Sequence, residues 1–312
     1  MAVTENALAE EFSTHRSHLI AVAYRLTGSV ADSEDAVQEA WLRLSALTSE
    51  KRAEIQDLRA WLTTVVGRLC LDRLRSATAR REHYVGEWLP EPIVTPLGAP
   101  RSDDPLESVV RDDGVRMAAM VVLDRLTPEQ RVAFVLHDAF SLPFSEIADI
   151  LGVSPDTARQ YGSRGRRALA DADPPSRQSI DGQREVLERF VSALMNGDVK
   201  GMTEVLHPDV VLIGDSDGRA RTTRRIMVGA DKIIRFFEGL LTLYRPGAFE
   251  SARMVMVNGD VGMYVPPAPG EGYRDLDAHL NCMAIRDGRI VAIYDQANPE
   301  KLTRAVKLPD VD

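Results

Sequence analysis

Four arginines, Arg159, Arg164, Arg166 and Arg167, fall between Thr157 and Ala170 with no acidic residue among them. Guanidinium groups donate in planar forks that match phosphate oxygens and the acceptor edges of bases, so a one-signed helix of this kind suits duplex DNA. A second cluster lies in RAWLTTVVGRLCLDRLR, where Arg59, Arg68, Arg73 and Arg75 alternate with Trp61, Leu62, Val65, Leu69 and Leu74. Cations beside an aromatic can hold phosphates while an unpaired base stacks; for Trp61 a place in the core is the alternative. Cys70 and Cys282 lie far apart in apolar segments and the histidines form no ligand-spaced cluster, so no disulfide framework, metal site or cofactor is expected.

A net charge of −9 opposes DNA binding as a total, but its distribution is uneven. Residues 1–58 sum to about −5, 59–81 to +5, 82–113 to −6 and 157–170 to +4. Two basic stretches in an acidic chain hold phosphates locally while the overall charge limits indiscriminate binding. The opening MAVTENALAEEF has no basic segment before an apolar core and no apolar run reaches membrane-spanning length, so a soluble cytoplasmic protein without a membrane partner is expected.

Helices must position both clusters. Phe144, Ile147, Ala148 and Leu151 recur at helical spacing, Gly152 ends that helix, and Ser154 with Pro155 opens the next, giving a helix-turn-helix over Pro143–Leu169. Gly162 and Gly165 weaken the second helix by roughly 1 kcal/mol each relative to Ala, and the sequence offers no reason for them. Upstream, Phe12, Leu19, Ala23 and Leu26 form one stripe ending at Gly28. Asp32 and Ser33 offer a cap for a helix through Leu47, with Ala36, Val37, Ala40, Trp41 and Leu44 inward. Val115–Leu126 and Glu129–Ala139, the latter opened by Thr127 and Pro128, complete the second helical domain.

The run SEDAVQEAWLRL, then RAWLTTVVGRLCLDRLR, then the helix-turn-helix, resembles bacterial sigma factors of the extracytoplasmic-function (ECF) group, over about residues 8–170. The resemblance implies a region 2 domain at 1–81 and a region 4 domain at 114–172. It places Asp35, Gln38, Glu39, Trp41 and Leu42 against core RNA polymerase. Arg59, Trp61, Arg68, Asp72, Arg73 and Arg75 would meet the −10 promoter element. Ser154, Thr157, Arg159, Gln160, Ser163, Arg164, Arg166 and Arg167 would meet −35. Arg68 departs from the Asn usual in the group, so the −10 base preference does not carry over.

Residues 82–113 carry Pro90, Pro92, Pro96, Pro100 and Pro105 with little periodicity and read as an extended acidic linker. Glu87, Glu91, Asp103, Asp104 and Glu107 either imitate nucleic acid against a basic helix or simply keep the linker solvated. Beyond Ser179 the pattern changes to three amphipathic helices and strand-like runs at Val210–Ile213, Met254–Val257, Gly262–Val265, Leu280–Ile285 and Ile290–Tyr294. Asn258-Gly259 and Asp287-Gly288 mark hairpins. An α+β domain over 180–312 with a curled antiparallel sheet and a cavity is expected. LMNGDVKGMTEVLHPDVVLI resembles the opening of the SnoaL-like family, a cone-shaped α+β barrel with enzymatic and noncatalytic members. Were the domain an enzyme, His279, Asn281, Asp215 and Tyr294 would be its candidate base and polar partners; His207, before Pro208, reads as a turn residue.

Trp88-Leu89-Pro90-Glu91-Pro92, Asp215-Ser216-Asp217-Gly218-Arg219 and Asn298-Pro299-Glu300-Lys301-Leu302 resemble three short motifs of an ECF subgroup with a fused C-terminal domain. Ser216 and Asp217 depart from that subgroup's glycines. The resemblance implies that the C-terminal domain adjusts sigma activity in cis without a separate anti-sigma factor, and leaves a small ligand for its cavity open. The fold expected is therefore multidomain: two all-α sigma domains, the second with a helix-turn-helix, and a SnoaL-like α+β barrel. Partners are core RNA polymerase and promoter DNA, with no catalysis. A dimeric helix-turn-helix regulator and a SnoaL-type enzyme with DNA-binding domains are the competing readings.

Overall fold

Helical periodicity in the N-terminal half becomes nine α-helices among the residues described by the computed structural model, 5–81, 84–98, 105–110, 113–303 and 305. The chain divides into two compact units, one within 1–82, 102–115 and 119–173, the other within 83–101, 116–118 and 174–312.

In the first unit, α1 (Glu5–Thr27) packs on α2 (Val30–Ser45) and α4 (Leu58–Arg81), with short α3 (Ser49–Ala53) between them in sequence. Leu19, Ile20, Ala23 and Leu26 of α1, Ala36, Ala40 and Leu44 of α2, and Leu62 and Val66 of α4 are buried. The cap of α2 is Ser29, whose hydroxyl accepts from the Asp32 amide; Asp32 and Ser33 instead lie inside the first turn. Short α5 (Pro105–Val109) packs on α1. Then come α6 (Met117–Asp124) and α7 (Pro128–Phe134), the latter continuing into a π-helical turn over Val135–Ala139. Thr127 and Gln130 close a reciprocal capping box on α7, an arrangement whose cap contributes about 1 kcal/mol.

Helices α8 (Phe144–Leu151) and α9 (Pro155–Ala172) form the expected helix-turn-helix. Gly152 takes φ +68°, and the Ser154 hydroxyl accepts from the Thr157 amide. Packing explains the two α9 glycines. A Cβ at Gly165 would lie 2.6 Å from the Phe134 Cβ, and one at Gly162 would lie 3.0 Å from the Phe144 ring. Close approach of α9 to α7 and α8 thus requires residues without side chains.

In the second unit, β1 (Val94–Pro96), β2 (Leu206–Asp215), β3 (Met227–Val228), β4 (Arg253–Val257), β5 (Asp260–Val265), β6 (His279–Arg286) and β7 (Arg289–Gln296) form one sheet, ordered β1-β4-β5-β6-β7-β2-β3. Helices α10 (Ile180–Met195), α11 (Val199–Val205) and α12 (Ala230–Leu241) supply apolar faces, so Val186, Phe190, Met202 and Ile233 join Val210, Met283 and Ile293 in one core. Both expected hairpins form, with left-handed φ at Asn258 (51°), Gly259 (80°), Asp287 (49°) and Gly288 (71°).

Two expectations change. The sheet is mixed, because β2 runs parallel to β7. Within the expected linker 82–113, the described residues 84–98 are not a plain extended connector: β1 pairs antiparallel with β4, Leu89 and Ile93 are buried, and the Asn258 carbonyl Oδ1 accepts from the Ile93 amide at 2.9 Å. Its apolar residues are few but strand-paired. Asp103 and Asp104 lie outside the described residues.

Candidate nucleic-acid interface and linker cluster

Exposure sorts the α9 residues into two groups. Gln160, Ser163, Arg164 and Arg167 are exposed, and their side chains make no hydrogen bond or ion pair among the described residues. The others are partly committed. Ser154 and Thr157 hydrogen-bond each other at the cap (2.9 Å), Arg159 pairs with Asp156, and Arg166 pairs with Asp138 at 2.7 Å. These last pairs are solvent-exposed, so each contributes about 0–1 kcal/mol and yields readily to a phosphate.

On α2, Asp35, Gln38 and Leu42 are exposed, spaced three and four residues apart on one face, with Leu42 53% accessible. Glu39 pairs with Arg43 at 3.0 Å. Trp41, expected inward, is only half-buried, its ring 5.1 Å from that of Phe12.

Of the expected −10 residues, Arg68 and Asp72 are exposed and Trp61 is half-buried. The rest have partners within the unit. Arg59 donates to His18 Nδ1 at 2.9 Å, and burial together with Arg59 pulls the His18 pKa down to about 4, so the ring is a neutral acceptor. Arg73 lies 3.9 Å from Asp32, and Arg75 donates to Glu129 at 3.0 Å. That last pair joins α4 to α7, and a Cβ at Gly67 would lie 3.1 Å from Leu136 and 3.3 Å from Ile150. Part of α4 is therefore covered by the helix-turn-helix half of the same unit, so Arg75 does not stand free for DNA as the sequence suggests.

In the second unit, the three short motifs converge on Asp215, which is fully buried at the end of β2. Its Oδ1 accepts from the Tyr84 hydroxyl at 2.5 Å. Its Oδ2 accepts from the Leu89 amide and Lys301 Nζ, both at 2.7 Å, and from Gln296 at 3.3 Å. Lys301 also donates to the Leu89 carbonyl and sits 4.1 Å from the centre of the Trp88 ring. Pro90 is buried beside them. The Tyr84 phenol is pushed well up by burial and the Asp215 charge, which keeps it a neutral donor.

The surrounding turns are held as well. Asp217 takes φ +49° and Gly218 φ +69°, and the Asp217 carboxylate accepts from the Val85 amide at 3.2 Å. A Cβ on Gly218 would lie 3.1 Å from Val85. Asn298 donates to Tyr84 at 2.8 Å and caps the turn Pro299–Lys301 by accepting from the Glu300 amide, while Arg219 pairs with Glu300 at 2.5 Å. Tyr84, Gln296 and Lys301 are not among the residues the sequence points to as a site. Lys301 stands inside one of the three short motifs, and that position is the signal that could have found it.

Of the residues considered for the cavity, His279 and Asn281 line it and Asp215 and Tyr294 do not; Arg221 and Asp295 also line it and escape the sequence reading. His207 lies within β2, where its Nδ1 accepts from the Asp209 amide at 3.1 Å. Among the described residues, no group of acidic, histidine or cysteine side chains is placed to hold a metal, and no helix is long and apolar enough to cross a membrane.

Three family models match the chain. The Sigma-70 region 2 family matches residues 12–80, Sigma-70 region 4 matches 116–169, and the SnoaL-like domain matches 187–293. The ECF RNA polymerase sigma factor SigJ of Mycobacterium tuberculosis is 50% identical over 296 residues, 94% of this chain and 92% of that protein. A probable ECF RNA polymerase sigma factor of the same species, SigI, is 37% identical over 221 residues, 70% of this chain and 72% of its own length. The crystal structure of M. tuberculosis SigJ superposes with a TM-score of 0.78 at 47% identity, covering 95% of this chain and 98% of that one.

Proposed function

The chain belongs to the extracytoplasmic-function sigma factors of RNA polymerase, and on that premise we propose how its parts divide the work. The exposed face of α2, Asp35, Gln38 and Leu42 with Glu39 and Trp41 beside it, docks on core polymerase. Helix α4 meets the −10 element through Arg68, Asp72 and Trp61, and through Arg59, Arg73 and Arg75 once their internal pairs exchange for phosphates. Helix α9 enters the major groove at −35. The observation that carries this reading is the uncommitted face of α9, where Gln160, Ser163, Arg164 and Arg167 stand exposed on a helix anchored by two glycines. Working with polymerase places the protein in the cytoplasm.

Distance adds a condition. The two promoter elements lie about 25 base pairs apart, roughly 85 Å at about 3.4 Å per pair. Within the first unit α4 packs on α8, and α8 on α9, so regions 2 and 4 must part to span a promoter. The chain between them runs through residues 84–98, which the second unit holds by β1 and by Asp215. We therefore read the second unit as a regulator in cis that limits this parting and can receive a small ligand, and not as an enzyme.

Promoter-dependent initiation with purified bacterial core polymerase tests the assignment. The full chain is expected to support it, and Leu42→Asp to lose core binding by at least tenfold while its unfolding midpoint is unchanged. Failure of the full chain to bind core would contradict it.

A further inference from the structure

The second unit holds a partly open cavity of about 310 Å³ between α10, α12 and the sheet. Its walls are apolar, with Phe190, Phe236, Phe237, Leu240, Met263 and Met283 prominent, but one end is polar, with His279, Asn281 and Asp295 on the neighbouring strands β6 and β7 and Arg221 preceding the Thr222 that bonds Asp295; the exposed Glu250 lines the cavity as well. The volume is at the lower end of the roughly 300–1,000 Å³ usual for small-molecule sites, and walls of this kind with a few convergent polar groups are their usual composition.

The polar end is built rather than incidental. His279 is 7% exposed, and its Nδ1 hydrogen-bonds Asp295 Oδ1 at 2.9 Å. The other Asp295 oxygen accepts from the Thr222 hydroxyl. A carboxylate only accepts, so the proton shared with Asp295 resides on Nδ1, and Nε2 of this cavity-lining residue has no partner among the described residues. Burial works against a charged ring, but Asp295, and more weakly Asp277, outweigh it and raise the His279 pKa. The Asp295 charge is thus balanced by its own donors. Arg221 lines the same end and forms no ion pair among the described residues, although its backbone amide donates to Asp277.

An imidazole nitrogen and a guanidinium that have no partner among the described residues, with an amide beside them at the end of an apolar chamber, suit an anionic head group on an apolar tail. We propose that this cavity binds a small lipophilic carboxylate, its tail among the phenylalanines and methionines and its head group against His279, Asn281 and Arg221. The proposal deepens the ligand-receiving part of the regulatory reading. Its test omits polymerase and DNA, so its failure is distinguishable from failure of the sigma assignment.

The experiment is isothermal titration calorimetry of the full chain with octanoate, decanoate and dodecanoate below their aggregation limits, against decanol and methyl decanoate. Saturable one-to-one binding of at least one acid, at least tenfold tighter than the alcohol or ester, is expected. Arg221 is exposed, so Arg221→Gln should fold normally and weaken the acid at least fivefold while leaving decanol unchanged. Leu240→Trp, which fills the chamber, should abolish both. Absence of binding by every acid, or acid binding no tighter than decanol and indifferent to Arg221→Gln, would overturn the proposal.

Discussion

Helix α9 leaves Arg164 and Arg167 in water without an ion pair among the described residues, whereas Asp215 in the second unit is fully buried and accepts from Tyr84, Leu89, Gln296 and Lys301. Arg164 and Arg167 stand in the helix-turn-helix, and Asp215, Leu89 and Lys301 stand one in each of the three short motifs. Exposed charge keeps its electrostatic capacity for a partner and adds little to stability, while buried charge is satisfied by internal donors and becomes part of the fold. The contrast teaches that a shared motif can mark either kind of role, and that burial decides which.

If this contrast is right, the largest stability change comes from Asp215→Ala. It leaves the Lys301 ammonium and the Leu89 amide without their buried acceptor, a loss of about 3–5 kcal/mol by the usual cost of breaking a buried pair. Urea unfolding of the full chain should show it as an early transition of the second unit. Next is Gly165→Ala, where the new methyl meets Phe134; overpacking of this kind costs about 1–3 kcal/mol and should lower the unfolding midpoint of the first unit. Arg164→Ala with Arg167→Ala should shift neither midpoint by more than about 0.5 kcal/mol.

A smaller effect follows from His279. Its pKa is raised in the folded state, so its contribution to stability is full below the ordinary imidazole value and is lost as pH rises through the raised one. His279→Gln should remove that decline, seen as a flatter dependence of the unfolding midpoint on pH above the ordinary imidazole value. A decline that persists in the variant would assign it elsewhere.

Much of this is legible in sequence where the determinants are local. Ser154 and Pro155 announce α9, Thr127 and Pro128 announce α7, and Asn258-Gly259 and Asp287-Gly288 announce hairpins, because caps and left-handed turns depend on a few neighbouring residues. What escapes depends on distant partners. Gly162 and Gly165 make sense only against Phe144 and Phe134, and β1 only against β4. Asp215 reads as a turn residue or a cavity acid until Tyr84, more than a hundred positions away, donates to it in the fold. Arg221 and Asp295 carry no motif and are brought to the cavity by the loop after β2 and by β7.

The measurement that tests the account most directly is the affinity of the full chain, assembled with core polymerase, for a promoter duplex across a salt series, comparing wild type with the Arg164→Ala, Arg167→Ala variant. Each phosphate that a variant no longer neutralises lowers the salt slope by about 0.9. The account predicts at least tenfold weaker binding, a shallower slope and an unchanged unfolding midpoint. Undiminished affinity with an unchanged slope would contradict the claim that the open face of α9 is where this protein meets DNA.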